Sequence, residues 1–371
     1  MSEDFSTKST LSGAPAGSTC ASGAAEERTW PIDGIERVLA CPVCGCSRRS
    51  PAHTALTDEV FFCAPGIWDM QRCEHCSTCY LDPRPSPETI HLAYGSYFTH
   101  ADADRAEEHT SPRSLSRLRR TLANGYRNWR YGTHAQPASK LGLGVALLIP
   151  RLRREADAGM RFIPRYIEGR RLLDVGAGNG TYLLRARSAG WDVLGVEPDA
   201  SAVEAALRAG LNVRQGDITS LTDEQESLDV ITLNHVIEHV HDPRAALRKA
   251  FELLRSGGLL YIETPCITSY GHKRFGRHWR GLEPPRHLVL FTWNSLESLL
   301  QEVGFRRIRR LRRTGIYPTL ARKSRAIQER CDPEAPSKSP TLARLIDELQ
   351  GCRAIFDYRS SEFITLLAEK G

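Results

Sequence analysis

The 371-residue sequence lacks a long apolar run and a start that resembles a secretory signal. Its longest apolar run, LGLGVALLIP at 141–150, is about half the ~20 residues that a membrane-spanning helix needs. Residues 1–27 are mostly small and polar, which is typical of a disordered tail. The sequence also has no internal repeat. We therefore expect a soluble, cytoplasmic protein of ordinary globular composition, with 41% hydrophobic and 25% charged residues.

The chain has only a small excess of charge of one sign, because 50 Lys and Arg against 44 Asp and Glu give a formal net charge of +6. The excess is local and falls in one arginine-rich stretch, which includes Arg117, Arg119, Arg120, Arg127, Arg130, Arg151, Arg153 and Arg154. Such a stretch is usually a solvated helix face, and it can also contact phosphate or anionic lipid at a membrane surface. Few aromatic residues are interleaved with these arginines. That scarcity argues against a zinc module that binds nucleic acid. No feature of the sequence indicates an oligomeric state.

Eleven cysteines in a cytosolic protein argue against a disulfide framework and favour a metal site or buried thiols. Two C-x-x-C pairs stand near the N-terminus, with 28 residues between them: Cys41 and Cys44, then Cys73 and Cys76. Each pair directs two thiolates at one centre, and four thiolates form the closed tetrahedral shell of structural Zn²⁺. Spare donors are Cys46, Cys63, Cys79 and His75. A redox C-x-x-C is the alternative interpretation.

The stretch LLDVGAGNGTYLL predicts a buried strand, a glycine turn at Gly176, Gly178 and Gly180, and a helix over 181–189. Glycines are needed where a cofactor approaches the backbone without a Cβ in the way. A dinucleotide-binding loop has the pattern G-x-G-x-x-G, but here the glycines run G-x-G-x-G and position 181 is Thr. These features argue against the alternative of an NAD-linked oxidoreductase.

Acidic residues accompany the ends of three successive predicted strands. Asp174 would repel a pyrophosphate but suits an ammonium group. Glu197, 21 residues after the first glycine, can accept both hydroxyls of a ribose, and Asp217 can accept from an exocyclic amine such as that of adenine. Together the three carboxylates predict a site for a cationic, aminoacyl-bearing adenosine. Asn179, in the loop, and Asn234, after the fourth strand, are further predicted cofactor contacts.

The sequence His235-Val236-Ile237-Glu238-His239 matches H-x-x-E-H, the pattern of inverted zinc proteases. It follows the predicted fourth strand, LDVITL, where ligands bind in open α/β sheets, so we reject the protease interpretation. Three roles remain open for this segment. His235 and His239 are structural, or one of them is a general base that takes a proton from an attacking hydroxyl. In the third role, Glu238 and His239 bind a divalent ion that polarises the acceptor. His241 belongs to a helix start, with Asp242 as N-cap and Pro243 at the first helical position.

A long segment over 266–291 follows the predicted fifth strand and contains HKRFGRHWRGLEPPRH. Long loops in a compact domain are usually functional or disordered, and the aromatic residues here favour order. We expect this loop to cover the acceptor, with Trp279, Arg280, Arg286 and His287 near the transferred group and Trp279 stacked on a flat substrate face. In the alternative interpretation, Arg286 and His287 simply hold the loop in place.

The motifs LLDVGAGNG, GVEPD, GDI, LDVITLNHVIEHVHDP and LLRSGGLLYIETP, over roughly 160 to 310, resemble class I S-adenosylmethionine-dependent methyltransferases. The resemblance implies an α/β Rossmann-like sheet of seven strands, mostly parallel with one antiparallel strand. It also implies that Asp174 and the glycine loop lie against the methionine part, Glu197 holds the ribose and Asp217 faces adenine. The final SSEFITLLAEKG alternates as expected of the last strand. Predicted divisions are a tail over 1–34, a zinc-ribbon-like module over 35–100, a basic helical connector over 101–160 and the methyltransferase domain over 161–371.

The N-terminal half, CPVCGC to YLDPRPSPE, is similar to the zinc-binding front module of bacterial methyltransferases that act on deoxysugars and glycoconjugates. Those proteins usually have glycine after the second C-x-x-C, where this chain has Ser77. Their use of a histidine base implies methyl transfer to a hydroxyl of a sugar, glycoconjugate or other small polar acceptor, with His239, His235, Glu238 and His287 as candidate catalytic residues. Quinone O-methyltransferases carry E-x-x-E-H here, which implies a metal-assisted alternative, although His235 replaces their first glutamate.

Overall fold

A computed structural model describes residues 29–95, 113–222, 225–313, 315–335, 341–353 and 357–371. Residues 1–28 of the predicted tail therefore lie outside the described residues. The helices are α1 (Arg113–Tyr131), α2 (Leu141–Leu148), α3 (Pro150–Ala158), α4 (Thr181–Ser188), α5 (Ala200–Arg208), α6 (Pro243–Leu253), α7 (Tyr270–Phe275), α8 (Trp293–Val303), α9 (Tyr317–Gln328) and α10 (Thr341–Gly351). Short 3₁₀ helices include Ile90–Tyr94 and Ile237–His239.

The strands divide into an N-terminal group and a C-terminal group. The first group is β1 (Ile35–Glu36), β2 (Arg49–Leu56), β3 (Trp68–Cys73), β4 (Cys79–Leu81) and β5 (Arg84–Pro85). The second is β6 (Arg171–Val175), β7 (Asp192–Glu197), β8 (Val213–Gln215), β9 (Leu228–Asn234), β10 (Leu254–Pro265), β11 (Val289–Leu290), β12 (Phe305–Arg310) and β13 (Phe363–Lys370).

A seven-stranded sheet forms the centre of the molecule, in the order β12-β13-β10-β9-β6-β7-β8. The five strands from β10 to β8 pair in parallel, whereas β13 is antiparallel to both of its neighbours. Leu172, Leu173, Ile231 and Leu233 are fully buried, as expected for parallel strands covered on both faces. The predicted sheet, with its single reversed strand, is confirmed.

The N-terminal module shares a second sheet with the C-terminal part of the chain, in the order β11-β4-β3-β2. Tyr80 of β4 pairs with Val289 of β11, and Cys79 pairs with Leu290. Because β11 lies near the end of the long segment over 266–291, the predicted module is joined to that segment by backbone pairing. Trp30, inside the predicted tail, is 5% exposed and packs edge-on against Trp68. Trp30 thus packs with the module.

In the part of the predicted basic connector that the structure describes, the helices are α1, α2 and α3, and the first of them ends at Tyr131. Two glycines allow α1 and α2 to pack closely. A Cβ at Gly125 would lie 1.8 Å from the Ser139 carbonyl oxygen, and one at Gly142 would lie 2.0 Å from that of Leu122. Among the helices that the structure describes, none is long and apolar enough to cross a membrane.

Helices α9 and α10 lie in the long connection between β12 and β13, for which the sequence analysis predicted no elements. Their packing involves the buried carboxylate of Asp347, which pairs with Arg325 and lies 3.5 Å from Arg274 of α7. This helical insertion follows β12 and precedes β13, so it lies at the same sheet edge as the loop over 266–291. That edge is where the parallel strands end.

Candidate functional site

The glycine turn after β6 has the conformation that the sequence predicts. Gly176, Gly178 and Gly180 all have positive φ, at 67°, 53° and 83°, a region that side chains with a Cβ rarely adopt. A Cβ at Gly176 would lie 2.6 Å from Val236, so that position is closed by the loop after β9. A Cβ at Gly178 would meet no atom within 4 Å. The backbone at Gly178 is therefore open to a ligand.

Asp174 is fully buried beneath this turn. Its Oδ1 accepts from the Thr232 hydroxyl at 2.8 Å and pairs with the guanidinium of Arg161, which stacks 3.7 Å above the Tyr182 ring. Its Oδ2 has no hydrogen-bond partner among the described residues. Burial raises the pKa of Asp174, and the Arg161 charge opposes that rise. The sequence analysis missed Arg161, because it lies in an irregular segment before β6 without a recognisable motif.

The other predicted cofactor residues lie at the carboxyl ends of neighbouring strands. Glu197, the last residue of β7, accepts from the backbone N–H of Gly178 at 2.8 Å and of Asp199 at 3.0 Å. Burial raises its pKa. Asp217 is exposed after β8 and caps a 3₁₀ turn by accepting from the Thr219 N–H. The parallel topology thus brings Asp174, Glu197 and Asp217 to one edge of the sheet, as predicted.

Asn179 and Asn234, the remaining predicted cofactor contacts, are both half-buried at this edge. Asn179 Oδ1 accepts from the Thr181 hydroxyl at 2.8 Å, at the start of α4. Asn234 is the last residue of β9 and pairs in register with Glu263 of β10. Their contacts with a cofactor stay predictions.

His235 occupies a left-handed conformation, with φ 55°, directly after β9. Its Nδ1 lies 3.3 Å from Glu238 Oε1, and its Nε2 lies 3.6 Å from Glu263 Oε1. Burial alone would lower the pKa of His235, but the two carboxylates raise it to about 9. Glu238 is fully buried and also accepts from the Thr264 hydroxyl at 2.9 Å. His235 is therefore positively charged at neutral pH, held between two carboxylates.

His239 has a different environment, four residues further along the chain. Its Nδ1 lies 3.0 Å from the carbonyl oxygen of Arg286 and 3.0 Å from the hydroxyl of Tyr94. Because a carbonyl oxygen can only accept, the proton of a neutral His239 ring is on Nδ1. The lone pair is then on Nε2. Tyr94 belongs to the N-terminal module, and no sequence motif pointed to it.

His287 packs edge-on against His239, with ring centroids 4.8 Å apart. Its Nδ1–H donates to the Gly281 carbonyl at 2.8 Å, and burial lowers its pKa to about 4. Glu238, His239 and His287 each provide one donor atom, and these three atoms lie within 4.8 Å of one another. Three of the four predicted catalytic residues therefore form one cluster, whose donors could hold a divalent ion. His235 adjoins this cluster through Glu238.

The structural role expected for His241 agrees with its contacts. Its Nε2 lies 3.0 Å from the Pro85 carbonyl oxygen of the N-terminal module. Asp242 caps α6 by accepting from the Ala245 N–H at 2.9 Å, and Pro243 is the first helical residue. The sequence predictions for this helix start are confirmed.

In the loop over 266–291, the side chains expected near the acceptor are instead largely buried. Trp279 is 1% exposed, and its indole N–H donates to Glu362 at 2.9 Å, so it has no face free for stacking on a substrate. Arg286 is 0% exposed and pairs with Asp58 of the N-terminal module and with Glu283. The expectation that Trp279 stacks on the substrate is therefore wrong. Arg286 has the alternative role of holding the loop in place.

The four paired cysteines come together in the N-terminal module. Cys41 Sγ lies 3.6 Å from Cys76 Sγ, and Cys44 Sγ lies 3.5 Å from Cys73 Sγ. A tetrahedral shell with Zn–S bonds of about 2.3 Å would place its sulfurs roughly 3.8 Å apart, close to these spacings. The spare donors Cys46, Cys63, Cys79 and His75 are not in this four-sulfur group.

The two cysteine turns have the same backbone form, although their sequences differ. Gly45 follows the first pair with φ 74°, and Ser77 follows the second with φ 60°. The N–H of each residue donates to the carbonyl of the first cysteine of its own pair, at 2.9 and 3.0 Å. Ser77 thus adopts the left-handed conformation for which glycine is the usual choice.

Comparison with known proteins identifies the central sheet domain. Residues 149–309 match the family model described as "Methyltransferase domain". The ubiquinone biosynthesis O-methyltransferase of Chelativorans sp. (strain BNC1) is 33% identical over 103 residues, which cover 26% of this chain and 41% of that protein. The protein of the same name from Brucella anthropi is 28% identical over 160 residues, which cover 40% of this chain and 64% of that one. The chain thus spans less than two thirds of either relative.

Solved structures resemble the chain at lower identity. A SAM-dependent methyltransferase from Archaeoglobus fulgidus is 21% identical, with a TM-score of 0.41, and the match covers 62% of this chain and 98% of that one. Haemonchus contortus phosphoethanolamine N-methyltransferase 2, in complex with S-adenosyl-L-methionine, is 18% identical with a TM-score of 0.40, covering 78% and 62%. The family match and the order of the seven strands identify the domain that contains residues 149–309 as a class I S-adenosylmethionine-dependent methyltransferase domain.

Proposed function

We propose that this chain transfers a methyl group from S-adenosylmethionine to a hydroxyl of a small polar acceptor, such as a sugar or glycoconjugate, with His239 as the general base. The contact between His239 Nδ1 and the Arg286 carbonyl oxygen carries the proposal, because it keeps the proton on Nδ1. The Nε2 lone pair is then available to accept the hydroxyl proton.

His235 is the less suitable base of the two. With a pKa of about 9, it already carries a proton at neutral pH. A base must be unprotonated when the acceptor oxygen attacks, and only a small fraction of His235 would be in that form. We assign His235 an electrostatic role, in which its charge and the carboxylates of Glu238 and Glu263 hold one another in place.

The cofactor site in this proposal is the edge formed by β6, β7, β8 and β9. Gly178 leaves space at the backbone, and the unpartnered Oδ2 of Asp174 is suited to a positively charged amino group. Glu197 would bind the ribose and Asp217 the adenine, while Asn179 and Asn234 add polar contacts. Gly176 is closed by Val236, which links the cofactor loop to the histidine segment.

In the proposed reaction the protein positions groups and moves one proton. Bound S-adenosylmethionine supplies a methyl group on a positively charged sulfur. His239 Nε2 takes the hydroxyl proton while the acceptor oxygen bonds to the methyl carbon and the carbon–sulfur bond breaks, which leaves neutral S-adenosylhomocysteine. The Arg286 carbonyl oxygen, 3.0 Å from Nδ1, stabilises the imidazolium that results. Glu238 and buried, neutral His287 stand beside this ring, and a proton lost to solvent returns His239 to its starting form.

A metal-assisted O-methyl transfer to a quinol or other small aromatic acceptor is a second candidate. The donors of Glu238, His239 and His287 lie within 4.8 Å of one another, which favours this mechanism. The relatives named ubiquinone biosynthesis O-methyltransferase are consistent with such an acceptor, at partial coverage. Here a divalent ion bound by these residues would polarise the acceptor hydroxyl. Turnover that is lost on chelation and restored by added Mg²⁺ or Zn²⁺, with the fold intact, would favour this candidate.

We also propose a structural Zn²⁺ held by Cys41, Cys44, Cys73 and Cys76. The fit rests on sulfur spacings of 3.5 and 3.6 Å and on the matched turns at Gly45 and Ser77. Four thiolates leave no open position for water, so this ion would not take part in the reaction. Its effect would be to hold the turn that leads into β4, the strand that pairs with β11.

The test is incubation of the protein with methyl-labelled S-adenosylmethionine and a panel of nucleotide-sugars, lipid-linked glycans and quinols. Replacing His239 with Asn should lower turnover by about 10²–10⁴-fold, the usual contribution of a general base. Affinity for S-adenosylmethionine should stay unchanged. His91→Asn is the matched control, because His91 is exposed and outside the cluster. Full turnover by the His239→Asn variant, with an intact fold, would remove His239 as the base.

A further inference from the structure

Two helices, α2 and α10, expose apolar side chains in an ordered pattern. On α10, Leu342, Leu345, Ile346 and Leu349 are 68%, 57%, 41% and 65% exposed. Their spacing places all four on one helix face. At the end of α2, Leu147, Leu148 and the following Ile149 are also exposed, and Leu141 lies seven residues before Leu148, on the same face. We call these eight residues the α2–α10 surface.

An ion pair connects the two segments that carry these rows of apolar residues. Arg151, in the first turn of α3, donates to Glu348 of α10 at 3.0 Å. Arg151 lies two residues after Ile149, and Glu348 is adjacent to Leu349. The ion pair therefore fixes the end of α2 close to the exposed face of α10. Eight exposed large apolar side chains brought together in this way are unusual for a soluble monomer and mark an interaction surface.

The surroundings of the α2–α10 surface are strongly basic. Residues 113–158, which form α1, α2 and α3, contain ten Arg and Lys but only two acidic residues. Both acids are already engaged, Glu155 with Arg151 and Asp157 with two tyrosine hydroxyls. Arg117, Arg119 and Arg153 are exposed. This stretch carries a local net charge of +8, from ten positive and two negative groups, whereas the whole chain carries +6.

We propose that the α2–α10 surface docks on an anionic lipid membrane, with its leucines among the upper acyl chains and the arginines on the headgroups. Apolar and basic residues together are the combination that binds such interfaces. A second copy of the chain fits less well. A two-fold contact puts the same patch on both sides, so it would bring the two sets of arginines together.

The proposed membrane surface leads toward the acceptor edge of the sheet. Gln350, at the end of α10, accepts from the Tyr317 hydroxyl at 3.1 Å, and both line a small cavity with Tyr270, Arg313 and Phe363. The Phe363 ring lies 4.6 Å from the His235 ring. An acceptor hydroxyl carried on a membrane lipid could thus reach the histidine cluster. This part of the inference rests on the proposed methyl transfer and names a lipid-linked acceptor.

The experiment is sedimentation of the full chain with two kinds of vesicle, one of phosphatidylcholine alone and one with about a third phosphatidylglycerol. We expect binding to the anionic vesicles that weakens with salt, and little binding to the neutral ones. The double variant Leu345→Gln/Leu349→Gln and the triple variant Arg117→Glu/Arg119→Glu/Arg153→Glu should each reduce binding by about tenfold or more. Leu207→Gln, at a leucine on α5 that is 52% exposed, should bind as the unmodified chain does.

Each other outcome would overturn the docking proposal. Equal binding to neutral vesicles, or no binding to either kind, would exclude an anionic membrane as the partner. Concentration-dependent dimers that disappear in the leucine double variant, without vesicle binding, would assign the surface to a second copy. Both variants should retain affinity for S-adenosylmethionine. Loss of vesicle binding with that affinity intact separates failure of docking from failure of the proposed methyl transfer.

Discussion

Two regions at this sheet edge are built in different ways. The cofactor half contains the ends of β6, β7 and β8, where we propose that S-adenosylmethionine binds, and the acceptor half contains the histidine cluster and the loop over 266–291. In the cofactor half, Gly178 and Glu197 contact each other across 19 residues of sequence, and Arg161 reaches Asp174 across 13. In the acceptor half, Tyr94 contacts His239 across 145 residues and Asp58 contacts Arg286 across 228. One half is assembled mainly by neighbouring strands and turns, and the other requires distant parts of the chain.

This difference indicates which half depends on the N-terminal module. The module supplies Tyr94 to His239, Asp58 to Arg286 and β4 to β11, all on the acceptor side. His53 of β2 adds a contact, because its Nε2 lies 2.9 Å from that of His272 in α7. Damage to the module should therefore disturb the histidine cluster while the cofactor half remains intact.

The largest expected effect comes from removing the charge that joins the module to the acceptor loop. Arg286→Met leaves the buried carboxylates of Asp58 and Glu283 without their shared guanidinium. Breaking a buried ion pair typically costs about 3–5 kcal/mol, so the free energy of unfolding should fall by that amount in urea denaturation. Affinity for S-adenosylhomocysteine should change little at temperatures where the variant is folded.

The matched control for Arg286 is Arg307→Met, because Arg307 pairs with Glu369 on the surface and its side chain is 78% exposed. Loss of an exposed pair should cost less than about 1 kcal/mol. Equal effects of the two substitutions would mean that Arg286 does not join the module to the loop.

A methyl group added to the glycine turn should break the cofactor half alone. The Cβ of Gly178→Ala would point into the open space proposed for the cofactor, at φ 53°. We expect affinity for S-adenosylhomocysteine, measured by calorimetry, to fall by about tenfold or more, equivalent to at least about 1.4 kcal/mol. The left-handed backbone at this position should also lower the free energy of unfolding by about 1 kcal/mol.

Gly132→Ala separates backbone strain from cofactor exclusion. Gly132 has φ 76° and, like Gly178, space around it, because an added Cβ would meet no atom within 4 Å, but it lies at the end of α1. Its substitution should cost similar stability and leave the affinity for S-adenosylhomocysteine unchanged. If both variants lost affinity equally, the open space at Gly178 would not be the cofactor site.

A smaller effect concerns the pH dependence of the acceptor half. Burial raises the pKa of Glu362 to about 7, although hydrogen bonds from the Trp279 indole and the Gly271 N–H oppose this. The folded state therefore holds a proton that the unfolded state releases above its own pKa, near ~4.5. Stability is lost as pH rises between these values, at up to about 1.4 kcal/mol per pH unit, and the loss levels off above pH 7.

Glu362→Gln should remove this contribution. Unfolding free energies of the variant and the unmodified chain, compared at each pH from 4 to 8, cancel the titrations of other groups. The difference should shift in favour of the variant as pH rises from about 4.5 to about 7. A difference that does not vary with pH would mean that Glu362 titrates normally in the folded protein.

The sequence predicted the cofactor half well because its determinants are local. Glycines at fixed spacing, a buried strand before them and an acid after each of the next strands define β6 to β8 without distant information. The cap at Asp242 was likewise readable, since its side chain accepts from an N–H three residues on. Ser77 is also determined locally, because its left-handed conformation belongs to the turn of its own cysteine pair.

The acceptor half was predicted only in part because it depends on contacts that no short motif encodes. From the sequence, Trp279 and Arg286 look like substrate contacts. In the structure both are buried, with Trp279 donating to Glu362 and Arg286 paired with Asp58. Nothing local distinguishes His235, between two carboxylates, from His239, against a carbonyl oxygen. The helices α9 and α10 were missed because their apolar positions fall in a charged region without a recognised motif.

The central claim is that the carboxylate-lined sheet edge binds S-adenosylmethionine, and calorimetric titration of the full chain tests it most directly. The account predicts saturable heat at one site per chain with S-adenosylhomocysteine and none with NAD. Heat with NAD, and none with S-adenosylmethionine or S-adenosylhomocysteine, would contradict it.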